Sequence, residues 1–171
     1  YYFYVNETNY RAYMTEMIEQ AIVYQPDIIA FPEYIGFPLL GLQYPWVNDY
    51  INYTLEEVLN IEWNVIYYEA ADVAGTAYLN TFSALAVEYG VHIIAGSICL
   101  PDGEITGTPG NYVYNKTGTA DAIYNVAYFF DPNGYIIGTQ KKVHLWESEW
   151  LFLKPSTEED LQVFDINLRG I

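Results

Sequence analysis

Asp27-Ile28-Ile29-Ala30-Phe31-Pro32-Glu33 is the stretch that decides the fold of this 171-residue chain. Asp27 to Phe31 shows no polar alternation, so it reads as a short strand covered on both faces, as in a sheet sandwiched by helices. Pro32 ends the strand and leaves Glu33 just past its carboxyl end, where open α/β sheets place ligands. Upstream, Tyr13, Met17, Ala21 and Tyr24 recur at three- and four-residue intervals. That spacing predicts an amphipathic helix over Tyr10 to Tyr24, stopped by Pro26.

Downstream, Gly36 to Trp46 is rich in Gly, Pro and aromatics and reads as a loop. A short helix is expected near Thr54 to Asn60, with Thr54 as N-cap and Glu57 as its capping-box partner. A long helical pattern over Ala70 to Tyr89 ends at Gly90, a suitable C-cap, and an apolar strand follows over His92 to Cys99. Gly103 to Asp121, rich in Gly and Thr, reads as a loop. Ala122 to Phe130 and Tyr135 to Lys141 flank Asp131-Pro132-Asn133-Gly134, which predicts two hairpin strands around an Asn-Gly turn. A further strand is expected over Gln162 to Ile166. Helix and buried strand alternate before an antiparallel hairpin, so the expected class is α/β with a mixed sheet.

Composition narrows the function. With Lys+Arg 6 against Asp+Glu 22, the net charge of −16 repels phosphate backbones and anionic membrane surfaces, and nucleic-acid binding is not expected. No apolar run approaches the roughly 20 residues of a membrane span, and Tyr1 to Asn9 lacks the layout of a signal peptide. Cys99 is the only cysteine, which excludes an intrachain disulfide. Three sequons begin at Asn6, Asn52 and Asn115 and read as glycosylated surface loops. With the scarcity of Lys and wealth of Tyr, they favour an extracellular or otherwise extracytoplasmic location over a cytoplasmic one.

Three polar residues could carry chemistry. A partly buried Glu33 could act as a general base, or merely cap a nearby backbone amide. Lys142 closes the hairpin's second strand; its ammonium suits an oxyanion, although an exposed edge-strand Lys is the plainer reading. Glu149, in Trp146-Glu147-Ser148-Glu149-Trp150, has a solvated loop acid as its default. His92 and His144 have no ligand partners at plausible spacing, so no metal is expected. His144 is expected to support the strand of Lys142.

Taken together, these stretches carry a resemblance that single residues do not. Asp27 to Glu33 resembles the first catalytic motif of the nitrilase superfamily of carbon-nitrogen hydrolases, an apolar strand ending in Pro-Glu. Tyr124-Asn125-Val126-Ala127, Asp131-Pro132-Asn133-Gly134 and Gly138-Thr139-Gln140-Lys141-Lys142-Val143-His144-Leu145 resemble the family's hairpin and its Lys-x-His-Leu motif. Gly96-Ser97 fits as well. The resemblance implies that Glu33 is the general base, Lys142 rather than Lys141 the catalytic Lys, and Glu149 the additional Glu that helps position substrate and Lys. The family usually has Pro-Gly where this chain has Pro155-Ser156.

The implied fold is a partial four-layer α-β-β-α sandwich, a single domain over 1–171 incomplete at both ends. The opening strand would precede Tyr1, and the nucleophilic Cys would lie beyond Ile171, since Cys99 reads as a small buried hydrophobe. The implied activity is hydrolysis of non-peptide C–N bonds in a small amide or nitrile, more readily an amide, with no cofactor. Tyr34 and the rest of the aromatic loop, together with Trp146 and Trp150, are expected to line the substrate pocket. The chain would be a fragment of a full enzyme, one half of a split enzyme, or a catalytically inactive relative that assembles into homo-oligomers or filaments.

Overall fold

A computed structural model of the chain describes residues 6–166 and 168. Tyr1 to Val5, part of the stretch read for a signal peptide, lie outside the described residues.

Helix α1 spans Glu7–Ile22 and begins where the Asn6 side chain accepts the Asn9 amide. Tyr10, Met14 and Ile18 are its buried face. The stripe expected from the sequence runs alongside it: Met17 and Ala21 touch the core, but Tyr13 and Tyr24 are exposed. Strand β1 spans Ile28–Ala30. Helix α2, Leu55–Leu59, carries the expected capping box of Thr54 and Glu57. Helix α3, Trp63–Tyr89, ends as expected at Gly90 in the left-handed conformation that suits glycine. It starts seven residues before Ala70, because Glu62 makes no side-chain cap that would announce it. The segment read as a loop after Gly36 contains two 3-10 helices, Phe37–Leu42 and Pro45–Asn52.

Strands β2 (His92–Ile94) and β3 (Ile98–Leu100) replace the single strand expected over His92 to Cys99. Both pair antiparallel with β6 (Tyr124–Phe130), and the register slips by one residue between Ile94↔Phe129 and Ile98↔Val126. They are one line of chain broken by a bulge at Ala95-Gly96-Ser97. Gly96 adopts φ +67, and a Cβ there would collide with the carbonyl oxygen of Pro32. The bulge therefore lets this strand approach the residue just before Glu33, and a side chain would push them apart.

Strand β7, Ile136–Lys141, joins β6 through the expected turn, where Asp131 Oδ1 accepts the Asn133 and Tyr135 amides and Gly134 has φ +81. With β1 parallel to β2 and the other pairings antiparallel, the sheet is mixed, as the sequence implied. Two corrections concern its surroundings. Gly103 to Asp121 is not simply a loop: β4 (Gly103–Thr106) and β5 (Val113–Lys116) form a hairpin held against α3, with Tyr114 packed on Gly75 and its amide donating to Thr76 Oγ1. Gln162 to Ile166 is not a strand; no partner strand lies beside it among the described residues, and Val163 is almost fully exposed.

The main core lies between the sheet and the helices, where Ile29, Phe31, Ile93, Val126 and Phe130 meet Met14, Ile18, Tyr78 and Phe82. Small residues Ala71, Ala74 and Ala77 bring α3 close to the sheet, and the Tyr78 hydroxyl donates to the Ala95 carbonyl at 2.9 Å. The expectation that both faces of β1 are covered does not hold among the described residues: Ala30 is exposed and neighbouring Ile94 is 37% exposed. The cause is architectural. Of the four layers implied by the resemblance, the described residues supply one helix layer and one five-stranded sheet, with the two-stranded β4–β5 hairpin beside α3.

Candidate active site

The bulge, the end of β1 and the end of β7 converge at one edge of the open sheet face. Glu33 lies in the turn after β1, anchored on its far side by the Tyr34 amide, which donates to Ser97 Oγ at 2.9 Å. Tyr34 itself has φ +61, a region few non-glycine residues enter. Lys142 follows β7 directly. Its amide donates to the Asn125 carbonyl at 2.8 Å and its carbonyl accepts the Ser156 amide at 2.9 Å, so its backbone is held on both sides.

From that position the Lys142 ammonium reaches two carboxylates. Nζ lies 2.8 Å from Glu33 Oε1, and 3.0 and 2.9 Å from Glu149 Oε1 and Oε2. The two acids differ in environment: Glu149 is buried, whereas the Glu33 side chain is about half exposed. Glu149, at the start of a 3-10 turn over Glu149–Leu151, also accepts the Tyr34 hydroxyl and the Trp146 amide, the latter at 2.7 Å. The solvated loop acid is thus not what this residue is. It is a buried anion saturated with donors.

Charge states follow from these contacts. Burial alone would raise the Glu149 carboxyl, but the bonds from Tyr34, Lys142 and the Trp146 amide outweigh it and hold the carboxyl below its usual range. Burial alone would lower the Lys142 ammonium; its bonds to Glu33 and Glu149 outweigh that and raise it. The Tyr34 hydroxyl is pushed far up, first by burial and then by its bond to Glu149. At neutral pH Lys142 is thus an ammonium held by an ionised Glu149, with Tyr34 as a neutral donor.

Glu33, Lys142, Glu149 and Tyr34 are therefore brought together. Tyr34 contributes through its bond to Glu149. Trp146 contributes its backbone amide, while the residue as a whole is 76% exposed. Trp150 borders a separate surface depression beside Asn64 and Asp121. His144 is exposed rather than packed beneath the strand of Lys142. Cys99 is buried in a second apolar cluster with Tyr67, Ile123 and Leu153, and burial pushes its thiol far up despite a hydrogen bond with Tyr67. A thiol so disfavoured as thiolate is a poor nucleophile. Among the described residues, no group of three or more His, Cys, Asp or Glu is placed to hold a metal ion. No helix among them is long and apolar enough to cross a membrane. The Asn6, Asn52 and Asn115 side chains are all exposed, with Asn115 in a strand rather than a loop.

One residue escaped the sequence reading. Asn125 on β6 is buried and donates from Nδ2 to Glu33 Oε1 at 2.7 Å. Its signal was a lone amide inside the otherwise apolar run from Ala122 to Phe130. Beside this cluster a groove of about 330 Å³ opens along the sheet, bordered by Phe31, Ile94, Asn125, Ala127 and the Glu33–Lys142 pair. The arrangement offers a half-exposed carboxylate as proton acceptor, an ammonium as anion stabiliser and an apolar floor. It offers no accessible nucleophile from the described residues.

The model of the carbon-nitrogen hydrolase family matches residues 5–167. Among solved structures, the chain is similar to a carbon-nitrogen hydrolase from Helicobacter pylori G27, with 16% identity and a TM-score of 0.49 over 90% of this chain and 41% of that one. It is also similar to Nit3 of Saccharomyces cerevisiae, a member of branch 10 of the nitrilase superfamily, with 20% identity and a TM-score of 0.49 over 89% of this chain and 44% of that one. The chain spans less than half the length of either. No curated protein matches it.

Proposed function

The chain belongs to the carbon-nitrogen hydrolase family, and from that premise we propose that it supplies the Glu33–Lys142–Glu149 part of an amidase site whose nucleophilic Cys lies beyond Ile171. The observation that carries this reading is the Lys142 ammonium, within 3.0 Å of both carboxylates. In a surface ion pair the second, buried acid would have no purpose. Here it fixes the cation in place while Glu33 stays accessible.

Each residue then has a step. Glu33 takes the proton of the thiol as sulfur attacks the amide carbon, and the C–S bond forms. Lys142 faces the negative charge that develops on the carbonyl oxygen. Protonated Glu33 returns its proton to the leaving nitrogen as the C–N bond breaks and ammonia or an amine departs. Water then attacks the thioester, again losing a proton to Glu33, which passes it to the departing sulfur. Glu149 holds Lys142, and Tyr34 holds Glu149. The apolar floor of the groove favours amides with an apolar portion over highly charged ones. The Trp146 ring, being exposed, would bear on substrate only from the rim.

The test is ammonia release by the intact protein from simple aliphatic and aromatic amides, compared with Glu33→Gln. Loss of the base is expected to lower the rate by about 10² to 10⁴-fold. An unchanged rate would remove Glu33 from the chemistry. The second reading, an inactive relative used for assembly, is favoured by the open sheet face, where Ile94 is exposed. It predicts no turnover and a concentration-dependent oligomer or filament. The three exposed sequon asparagines support an extracytoplasmic setting for either reading.

A further inference from the structure

Asn125 presents two groups, and only one has a partner. Its Nδ2 donates to Glu33 Oε1, while its Oδ1 is buried and accepts no hydrogen bond from the described residues. An ionised carboxylate can only accept, so the amide is oriented with nitrogen toward Glu33 and oxygen away. The orphaned carbonyl carries a desolvation cost that an apolar residue in the same strand would avoid. An amide kept under that cost points to a need for its donor.

The backbone of the same residue strengthens the point. Its carbonyl accepts the Lys142 amide at 2.8 Å, so Asn125 holds Lys142 through main chain and Glu33 through side chain. Glu33 Oε1 receives both Asn125 Nδ2 and Lys142 Nζ, and among the described residues Oε2 accepts nothing. We propose that Asn125 is a positioning residue that pins Oε1 of Glu33 against Lys142 and so leaves Oε2 as the oxygen that takes the proton. The assignment rests on the reading of Glu33 as the base. It acts through Glu33 and needs no contact with substrate. The other titratable groups around Glu33 are Lys142, Glu149 across it, Tyr34 next in the chain, and Cys99 directly opposite Asn125 on β3.

The experiment is a carboxyl ¹³C NMR titration of Glu33 in the intact protein, for wild type, Asn125→Leu and Asn125→Asp, with the acid limb of kcat/KM measured in parallel. Removing a donor to the ionised form is expected to raise the Glu33 midpoint by about one pH unit in Asn125→Leu, and by more in Asn125→Asp, which sets a like charge beside it. The acid limb should move upward with it. A Glu33 midpoint unchanged in both folded variants would overturn the assignment, whatever happens to stability. If Asn125→Leu does not fold, the isosteric Asn125→Asp alone decides. Should wild type show no hydrolysis while the NMR shift is present, the hydrolase reading fails and the proton-taking role of Oε2 falls with it, leaving only the Asn125–Glu33 contact. Turnover in wild type with no shift would instead uphold the hydrolase reading and remove the positioning role.

Discussion

Replacing Lys142 with Met is expected to lower kcat for an amide by about 10³-fold, with KM changed far less. Removal of one preorganised donor to an oxyanion costs about 10² to 10³-fold, and here the donor is charged and held by two carboxylates. Met fills much the same volume, so the loss cannot be assigned to a cavity. The substitution also leaves Glu33 and Glu149 without the cation between them, and Glu149 keeps only Tyr34 and the Trp146 amide as donors. Steady-state kinetics separates the two parameters. A loss confined to KM would mean that Lys142 binds the ground state and does not stabilise the developing charge.

Glu149→Gln is expected to act on stability as strongly as on rate. The buried carboxylate satisfies Lys142, Tyr34 and the Trp146 amide at once, and a neutral amide cannot accept from all three. Removing one partner of a fully buried pair costs about 3–5 kcal/mol. Lys142 keeps Glu33 and some access to water, so about 2 kcal/mol is the expected loss, or a Tm lower by about 4–8 °C for a domain of this size. The pH dependence provides a second check. The folded Glu149 carboxyl lies below its usual value of about 4.3, so its contribution is full above that value and lost as pH falls through the lowered one. The Lys142 ammonium is raised above about 10.4, so its contribution holds below that value and is lost as pH rises through the raised one. Thermal melts from pH 2 to pH 8 should therefore fall less steeply on the acid side for Glu149→Gln than for wild type. Parallel acid limbs would contradict the ionic role of Glu149.

Signals confined to a few neighbouring residues were legible in the sequence. The Thr54–Glu57 capping box, the Gly90 cap and the Asp131–Gly134 turn are each set by contacts within five residues, and each appears as expected. The phase of α1 was not legible. Tyr10-Met14-Ile18 and Tyr13-Met17-Ala21 are adjacent apolar stripes, and only packing against Phe82 and the sheet selects the first. The β4–β5 hairpin was hidden by its Gly and Thr content, because its stability comes from Tyr114 wedged on Gly75 rather than from its own propensity. The bulge at Gly96 broke a strand that looked continuous, since only the close approach of the Pro32 carbonyl demands it.

The same division holds at the site. Glu33 and Lys142 could be picked out because each ends a strand in a recognisable motif, yet neither position reveals the 2.8 Å contact between residues so far apart in sequence. By position alone Glu149 looked like a loop acid, and only the family resemblance gave it a role beside Lys142, because burial is a property of the surrounding fold and not of Trp146 or Trp150, both of which are exposed. Cys99 was read as a buried hydrophobe and is placed in an apolar cluster, directly across the ladder from Asn125.

On the proposed assignment, Glu33 and Lys142 serve a cysteine other than Cys99. Acid-quenching the intact protein during turnover of a slow amide or ester substrate, followed by peptide mass spectrometry, locates the acyl group. The expected result is a single thioester on a cysteine outside residues 1–171 and none on Cys99. An acyl group on Cys99, or turnover with no cysteine adduct, would contradict it.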